Sequence, residues 1–420
     1  MDMNPQGERR TAEQVLALAP DAASRAAGDR LGRPGPWSGT GRRTSAVWGW
    51  CEGSGSTPYR TVVDLGGTNF QCSCPSRKTP CKHALGLLLL WSRQPAEVPE
   101  AEAAAVPDWV GQWLARRRRA ERRTQRIAAG AVELEQRLTD LLQGGLAAAE
   151  GAGYGQWDET AARMVDAQAP GLAARVRDLA GIGAARASHM LEECALLHTL
   201  NQGFLRVDEL PPALAATVRS RVGLPANTTG PPVRDHWLVL AQRDSDDGRL
   251  TTRRIWLRGR KTGRMALLLA YGGGGRPVEL TLPVGLEIDA ELAFYAGARP
   301  LRAALGPSYD APAPAAAPPP GSGIADALRV YGEVLADDPW VEGWPVVLEG
   351  VVPVPPGGAE EGWQLADPAA GEAVPVPGDD GGLWHLAAVS GGRPVRVFGE
   401  CGHRGFAPLG VWAAEELLPL

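Results

Sequence analysis

The chain has 420 residues, 44% of them hydrophobic and 22% charged, which describes a globular protein of two or three domains and excludes a disordered or fibrous one. Its longest apolar run, Ala84 to Trp91, is far shorter than the ~20 residues of a membrane-spanning helix, and no N-terminal segment reads as a signal peptide, so a soluble cytoplasmic protein with no membrane partner is expected. The net charge of −5 is uneven: residues 1–130 carry +7 and the remainder −12, which suits either a nucleic-acid-facing N-terminus or two regions that attract each other.

In chain order, residues 11–28 ("TAEQVLALAPDAASRAAG") predict a helix interrupted at Pro20, and "RLGRPGPWSGTGRR" (30–43) reads as a break in regular structure. From Ser45 the pattern becomes strands: "SAVWGWCEGSG", "YRTVVDL" and "NFQCSC", joined by turns at "GSGSTP" and Gly66–Gly67. "CKHALGLLLLWS" predicts a helix that starts near Cys81. Residues 1–95 are therefore expected to form a small β-sheet with one helix after it.

Residues 96–225 are helical in pattern. Asp108 is a candidate N-cap, and Trp109, Trp113 and Leu114 recur three to four residues apart. Residues 226–306 switch to alternation and predict an antiparallel meander, whose strands run up to "RPVELTLPV" around the turns "DSDDG", "GRKTG" and "GGGG". Residues 307–323 are a Pro/Ala linker without a core of its own. Residues 324–420 open with a short helix, "IADALRVYGEVLA", and continue as a small β-rich tail with strands at "PVVLEGVVPVP", "LWHLAAV", "RPVRVFGEC" and "APLGVWA". The fold class is thus α+β multidomain: a metal-stapled β-sheet plus helix, a helical middle, an antiparallel β-rich region and a β-rich tail.

The chemistry concentrates in "CSCPSRKTPCKH". Cys72, Cys74, Cys81 and His83 place four ligand-type residues within twelve positions. Two cysteines at i, i+2 on a strand project from one face, and Cys81 and His83 fall where a Pro-bounded loop becomes a helix. Clustered cysteines in a reducing compartment are more often metal ligands than disulfides, and four protein donors around one Zn2+ leave no open position, which makes the ion structural. A redox pair at Cys72/Cys74 is the competing reading.

The order Cys-x-Cys, six residues, Cys-x-His resembles the SWIM zinc finger, and the flanks "VLALAPDAAS" and "WGWCEGSGSTPYRTVVDL" are similar to those of bacterial stand-alone SWIM proteins. The resemblance covers about residues 11–95; residues 130–420 resemble no family. It implies Cys72, Cys74, Cys81 and His83 as ligands of one structural Zn2+. It also implies binding of DNA or proteins, and an association with AAA ATPase and von Willebrand factor A-type systems.

Two basic features point to nucleic acid, DNA or RNA. Arg77, Lys78 and Lys82 lie in or beside the metal loop. Arg116, Arg117, Arg118, Arg119, Arg122, Arg123 and Arg126 crowd one helix. Against this, 40 Arg stand beside only 3 Lys, a bias of a GC-rich genome that lowers the weight of any Arg run. Cys401 and His403 make a second Cys-x-His whose missing half is not nearby, with Cys51, Cys194, His189 and His198 as distant candidates; Cys51 otherwise reads as a buried thiol. No nucleophile elbow, zinc-protease motif, EF-loop, Walker loop or dinucleotide fingerprint occurs, and the pairs Asp246/Asp247, Glu360/Glu361 and Asp379/Asp380 sit in Gly-rich turns. The expectation is a non-enzymatic, zinc-dependent interaction protein with a protein partner and no evident small-molecule substrate. Nucleic-acid binding through the basic residues is the alternative.

Overall fold

The computed structural model describes residues 10–43, 45–53, 55–65, 69–76, 78–145, 153–182, 187–246, 250–273, 276–358, 362–378 and 381–420. The chain forms two compact units, residues 1–122 and 123–420.

The first unit begins with α1 (Ala12–Ala17) and α2 (Ala22–Leu31). The break between them falls at Pro20, and Asp21 caps α2 by accepting from the Ser24 amide at 2.7 Å. A four-stranded antiparallel sheet follows in simple order: β1 (Trp37–Arg43), β2 (Ala46–Cys51), β3 (Tyr59–Asp64) and β4 (Phe70–Cys72). β1 corrects the sequence expectation, which read this Gly-rich stretch as irregular. Its residues take the free edge of β2, with the pairing shifted between Ser38 and Gly41, and Gly39 adopts a positive φ of 55°.

α3 (Lys82–Arg93) is the unit's core helix, with every residue from His83 to Trp91 buried. It lies close on α2 because two glycines remove side chains at the crossing. A Cβ on Gly28 would meet Leu85 Cβ at 2.7 Å, and one on Gly86 would meet Leu31 Cβ at 2.5 Å. α4 (Asp108–Gly144) starts in this unit, where Val110 and Trp113 pack with Ala46, Trp48 and Val62.

The second unit opens with the remainder of α4 and α5 (Gly153–Asp166), α6 (Pro170–Ala180), α7 (Ala187–Leu205) and α8 (Pro212–Arg221), packed around Ile127, Leu134, Met164, Leu172, Leu197 and Phe204. Within this apolar core Asn201 is fully buried and donates to Ala131 O at 2.8 Å and to Glu135 at 2.9 Å.

β5 (Val233–Asp246), β6 (Leu250–Gly259) and β7 (Met265–Gly273) form the expected meander. The next strand is β8 (Leu286–Phe294), not "RPVELTLPV". Pro277 and Pro283 lack the N–H groups a ladder needs, and Leu280, Leu282 and Val284 pack on the sheet's core without pairing. β9 (Arg302–Ser308) pairs with β8 antiparallel and with β7 in parallel, so five strands close into a barrel in the order β5-β6-β7-β9-β8 rather than an open meander. Inside lie Trp237, Val239, Ile255, Leu257, Leu268 and Ile288.

The Pro/Ala stretch buries none of its residues from Ala311 to Gly323, yet it is pinned to its surroundings. Ala313–Pro314 (β10) pairs with β8, and Pro320 O accepts from Arg258 at 2.9 Å. After α9 (Ile324–Asp337), one antiparallel sheet runs in the order β13-β12-β11-β14-β15-β16, from β11 (Gly343–Val354), β12 (Gln364–Asp367), β13 (Glu372–Pro375), β14 (Val395–Gly402), β15 (Gly405–Ala413) and β16 (Glu416–Pro419). "LWHLAAV" is helical, as part of α10 (Gly381–Ser390), where the sequence suggested a strand. A short apolar run has no period of its own; Leu383 and Leu386, three apart, are buried, while Trp384 is 62% exposed.

One face of this sheet packs on α9 and α10. The other meets the barrel through a shared core of Leu238, Leu240, Trp256, Val347, Phe398 and Trp412. The two β-rich segments are thus packed against each other.

Candidate metal centre

The four ligand-type residues reach one point from three local structures. β4 is short, but its pairing of Cys72 with Thr61 on β3 fixes the first cysteine. Cys74 follows just beyond the strand. The return passes through Pro75 and Pro80 and a cis Thr79–Pro80 bond. Cys81 is the N-cap of α3, its sulfur accepting from the Ala84 amide at 3.5 Å, and His83 lies in the helix's first turn.

The three sulfurs and one imidazole nitrogen all lie within 4.8 Å of one another. Cys72 Sγ and His83 Nδ1 are 3.6 Å apart. That is the edge of about 3.6 Å expected when Zn–S and Zn–N bonds of about 2.3 and 2.0–2.1 Å meet at a tetrahedral angle. Cys81 and His83 are buried and the other two half-buried. The donor set and its spacing fit one tetrahedral metal ion. Among the described residues this is the sole cluster of three or more His, Cys, Asp or Glu able to hold one.

The electrostatics favour a thiolate here. A hydrogen bond from Cys72, followed by contacts with His83 and the Ala84 amide, pulls the Cys81 thiol below its ordinary value against the cost of burial. Cys72 moves the other way, because it holds the proton its partner gives up and is itself buried. Around the ligands, Thr61 Oγ1 lies 3.2 Å from Cys72 Sγ, and the Tyr59 ring sits 4.9 Å from that of His83. Neither supporting residue was singled out from sequence; the strand register that brings them to the site is set by pairing, and only the alternation of β3 hinted at it.

The other sequence candidates scatter. Cys51 stays outside the cluster, its thiol pushed up to about 11 by burial. Cys401 is buried, and His403 faces Glu192 at 3.4 Å; with Cys194, His189 and His198 they assemble no metal cluster among the described residues. Arg77 lies outside the described residues, as do Asp247, Glu360, Glu361, Asp379, Asp380, Gly66 and Gly67.

The basic residues are largely engaged within the fold. Lys78 pairs with Asp21 at 2.8 Å. Arg117 pairs with buried Asp64 and with Glu121, and Arg119 turns back on Ala115 O. Arg123 donates to Gly223 O at 2.8 Å in the second unit. Lys82, Arg116, Arg118, Arg122 and Arg126 are exposed. No described helix is long and apolar enough to cross a membrane.

Residues 59–91, from β3 through most of α3, match the SWIM zinc finger model. Residues 122–222, from within α4 to just past α8, match that of the SWIM-associated four-helix bundle domain, beyond the reach of the Cys/His pattern. No curated protein and no solved structure matches the chain. The chain thus carries in tandem a segment that matches the SWIM zinc finger and one that matches the helical bundle associated with it.

Proposed function

We propose that this is a non-enzymatic adaptor whose SWIM finger, stapled by one structural Zn2+, docks on a protein partner. Three thiols and an imidazole suit zinc and fill its tetrahedron, so the ion folds the finger rather than activating water. The observation that carries the partner class is a cavity of ≈280 Å³ in the first unit, lined by Leu18, Val63, Phe70, Pro80, Leu88 and Trp91 with Arg10, Asp64 and Thr79 as its polar residues. It is just below the ~300–1,000 Å³ of small-molecule pockets and suits one or two apolar side chains of a docking protein. The neutralisation of Lys78 and Arg117 favours this reading over phosphate contact by the finger.

The family resemblance makes an AAA ATPase and a von Willebrand factor A-type protein the first partners to test. Two of the chain's three lysines, Lys78 and Lys82, flank the metal site, so a lysine-reactive crosslinker reports on the finger. With those two proteins purified, wild type is expected to crosslink through the finger. Phe70→Asp is expected to lose at least ~10-fold in capture, about 1.4 kcal/mol, while keeping its metal. Equal capture by metal-loaded wild type and variant would overturn the docking role of this pocket.

A further inference from the structure

The barrel's one parallel contact is short. β7 and β9 face each other at only two positions, Leu267 with Arg302 and Leu268 with Ala303. Beyond them the strands leave a groove of ≈790 Å³, lined by Tyr271 and Arg276 on one side and Tyr295 and Arg302 on the other. Tyr295 and Arg302 also line a cleft of ≈680 Å³, onto which Arg254 and Arg175 open. Groove and cleft therefore adjoin at these two residues, and together they make up a channel region on the barrel.

Among the described residues, three of its cations stand outside any ion pair. The side chains of Arg254, Arg276 and Arg302 have no ion pair among the described residues, and Arg302 instead lies 4.7 Å over the Tyr295 ring. Arg175, with a side chain only 16% exposed, has Glu342 at 3.6 Å and also feels the charges of Glu193 and Asp178. Of the other acids, Asp338 holds Arg221 at 2.7 Å, and Glu400 accepts from the Trp256 indole at 3.1 Å, its carboxyl pushed up by burial against the opposing charge of Arg254. Asp178, Glu279 and Glu342 are the exposed acids on it, and Glu193 is half-buried there. Tyr271 stands half exposed, at 50%, on the outer face.

Guanidinium groups outside ion pairs, interleaved with accessible tyrosines, suit a polymer with alternating phosphates and unstacked bases. A duplex keeps its bases stacked and offers the tyrosines nothing. Small five-stranded barrels also present oligonucleotide sites on their second and third strands and on the loop joining the fourth to the fifth. Here Arg254 is on the second, Tyr271 on the third, and Tyr295 begins that loop. Fold alone does not assign function; the side chains do.

We infer that this channel binds single-stranded nucleic acid, its phosphates on Arg254, Arg276 and Arg302 and its bases against Tyr271 and Tyr295. This lies in the second unit and does not depend on the docking role proposed for the finger.

Fluorescence anisotropy with the full-length, metal-loaded chain tests it, using labelled oligo-dT and oligo-U of about 16 nucleotides, the upper site size of a small barrel. At least one single strand is expected to bind, and a duplex of equal length at least ~10-fold more weakly. Three phosphate contacts at about −0.7 each predict a log–log salt slope of about −2. Arg254→Ala with Arg302→Gln should weaken binding at least ~10-fold, and Tyr271→Ala roughly 5-fold or more. Arg254 and Tyr271 are exposed, so Arg254→Ala and Tyr271→Ala remain informative if the change at Arg302 disturbs folding. Lys78→Ala with Lys82→Ala should leave affinity unchanged. Absence of binding at low salt, equal binding by the groove variants, or loss only in the lysine variants would overturn the inference.

Discussion

The two units reach a folded state by different routes. In residues 10–122 the last strand of the sheet, β4, is three residues long, and the segment from Cys72 to Cys81 has little apolar surface to bury. α3 packs on one side of it, and on the other four donors converge on the point proposed for the metal. In residues 123–420 a bundle, a closed barrel and a second sheet each have their own apolar core, and a further core joins barrel to sheet. A small segment with few nonlocal apolar contacts depends on cross-links such as a metal, whereas a large one can rely on area removed from water.

The sharpest way to break this contrast is to remove the metal. Cys74→Ser is expected to abolish metal binding and unfold the N-terminal unit while the second keeps its own melting transition. Structural Zn2+ contributes about 10–16 kcal/mol in small finger peptides, so the effect is the largest expected. Elemental analysis and calorimetry check it, and one metal per chain in both proteins would sink the ligand assignment.

The reciprocal change is Trp256→Ala in the core between barrel and sheet, where the side chain is 1% exposed. It should cost about 3–5 kcal/mol, seen as a lower second transition with metal content untouched. A simultaneous loss of metal would show that the two units do not fold independently.

Asn201→Ala tests the polar part of the bundle. It removes the bonds to Ala131 O and Glu135 and should cost about 1–3 kcal/mol, read by denaturant titration. A neutral result would mean that Glu135, which also accepts from His198 and Gln202, repairs the site.

The smallest effect is expected at Asp21, which ties the metal loop to α2. The Lys78 ammonium, then the Ser24 amide, hold its carboxyl down at about 2. A folded pKa below the unfolded one contributes stability above the usual carboxylate range and loses it as pH falls through about 2. Asp21→Asn should therefore flatten the acid limb of the first unit's stability between about pH 4 and pH 2. An unchanged limb would show the pair to be incidental, as exposed ion pairs often are.

Much of the metal centre was legible because its information is local. Cys72 and Cys74 share a strand-end spacing, and Cys81 and His83 share the start of an apolar helix, so spacing alone brings four donors together. The helical middle was legible from its period, and β5 to β7 from alternation. Less so were elements whose conformation depends on a partner. Trp37–Arg43 is a strand because β2 offers it an edge, and Leu383–Val389 is helical because a sheet buries two of its leucines. Nor did the Arg run announce that Arg117 would face Asp64, or Arg123 a carbonyl a hundred residues on.

The sequence by itself determined the ligand set, the helical middle and the succession of β-rich segments, since these follow from residue type and short-range periodicity. Tertiary structure alone decided that β9 closes a barrel beside β7, that this barrel packs on the last sheet, and that Arg254, Tyr271, Tyr295 and Arg302 line two adjoining cavities. Such contacts join residues tens to hundreds apart, and strand order and packing, which place them, are not encoded in the spacing of neighbours.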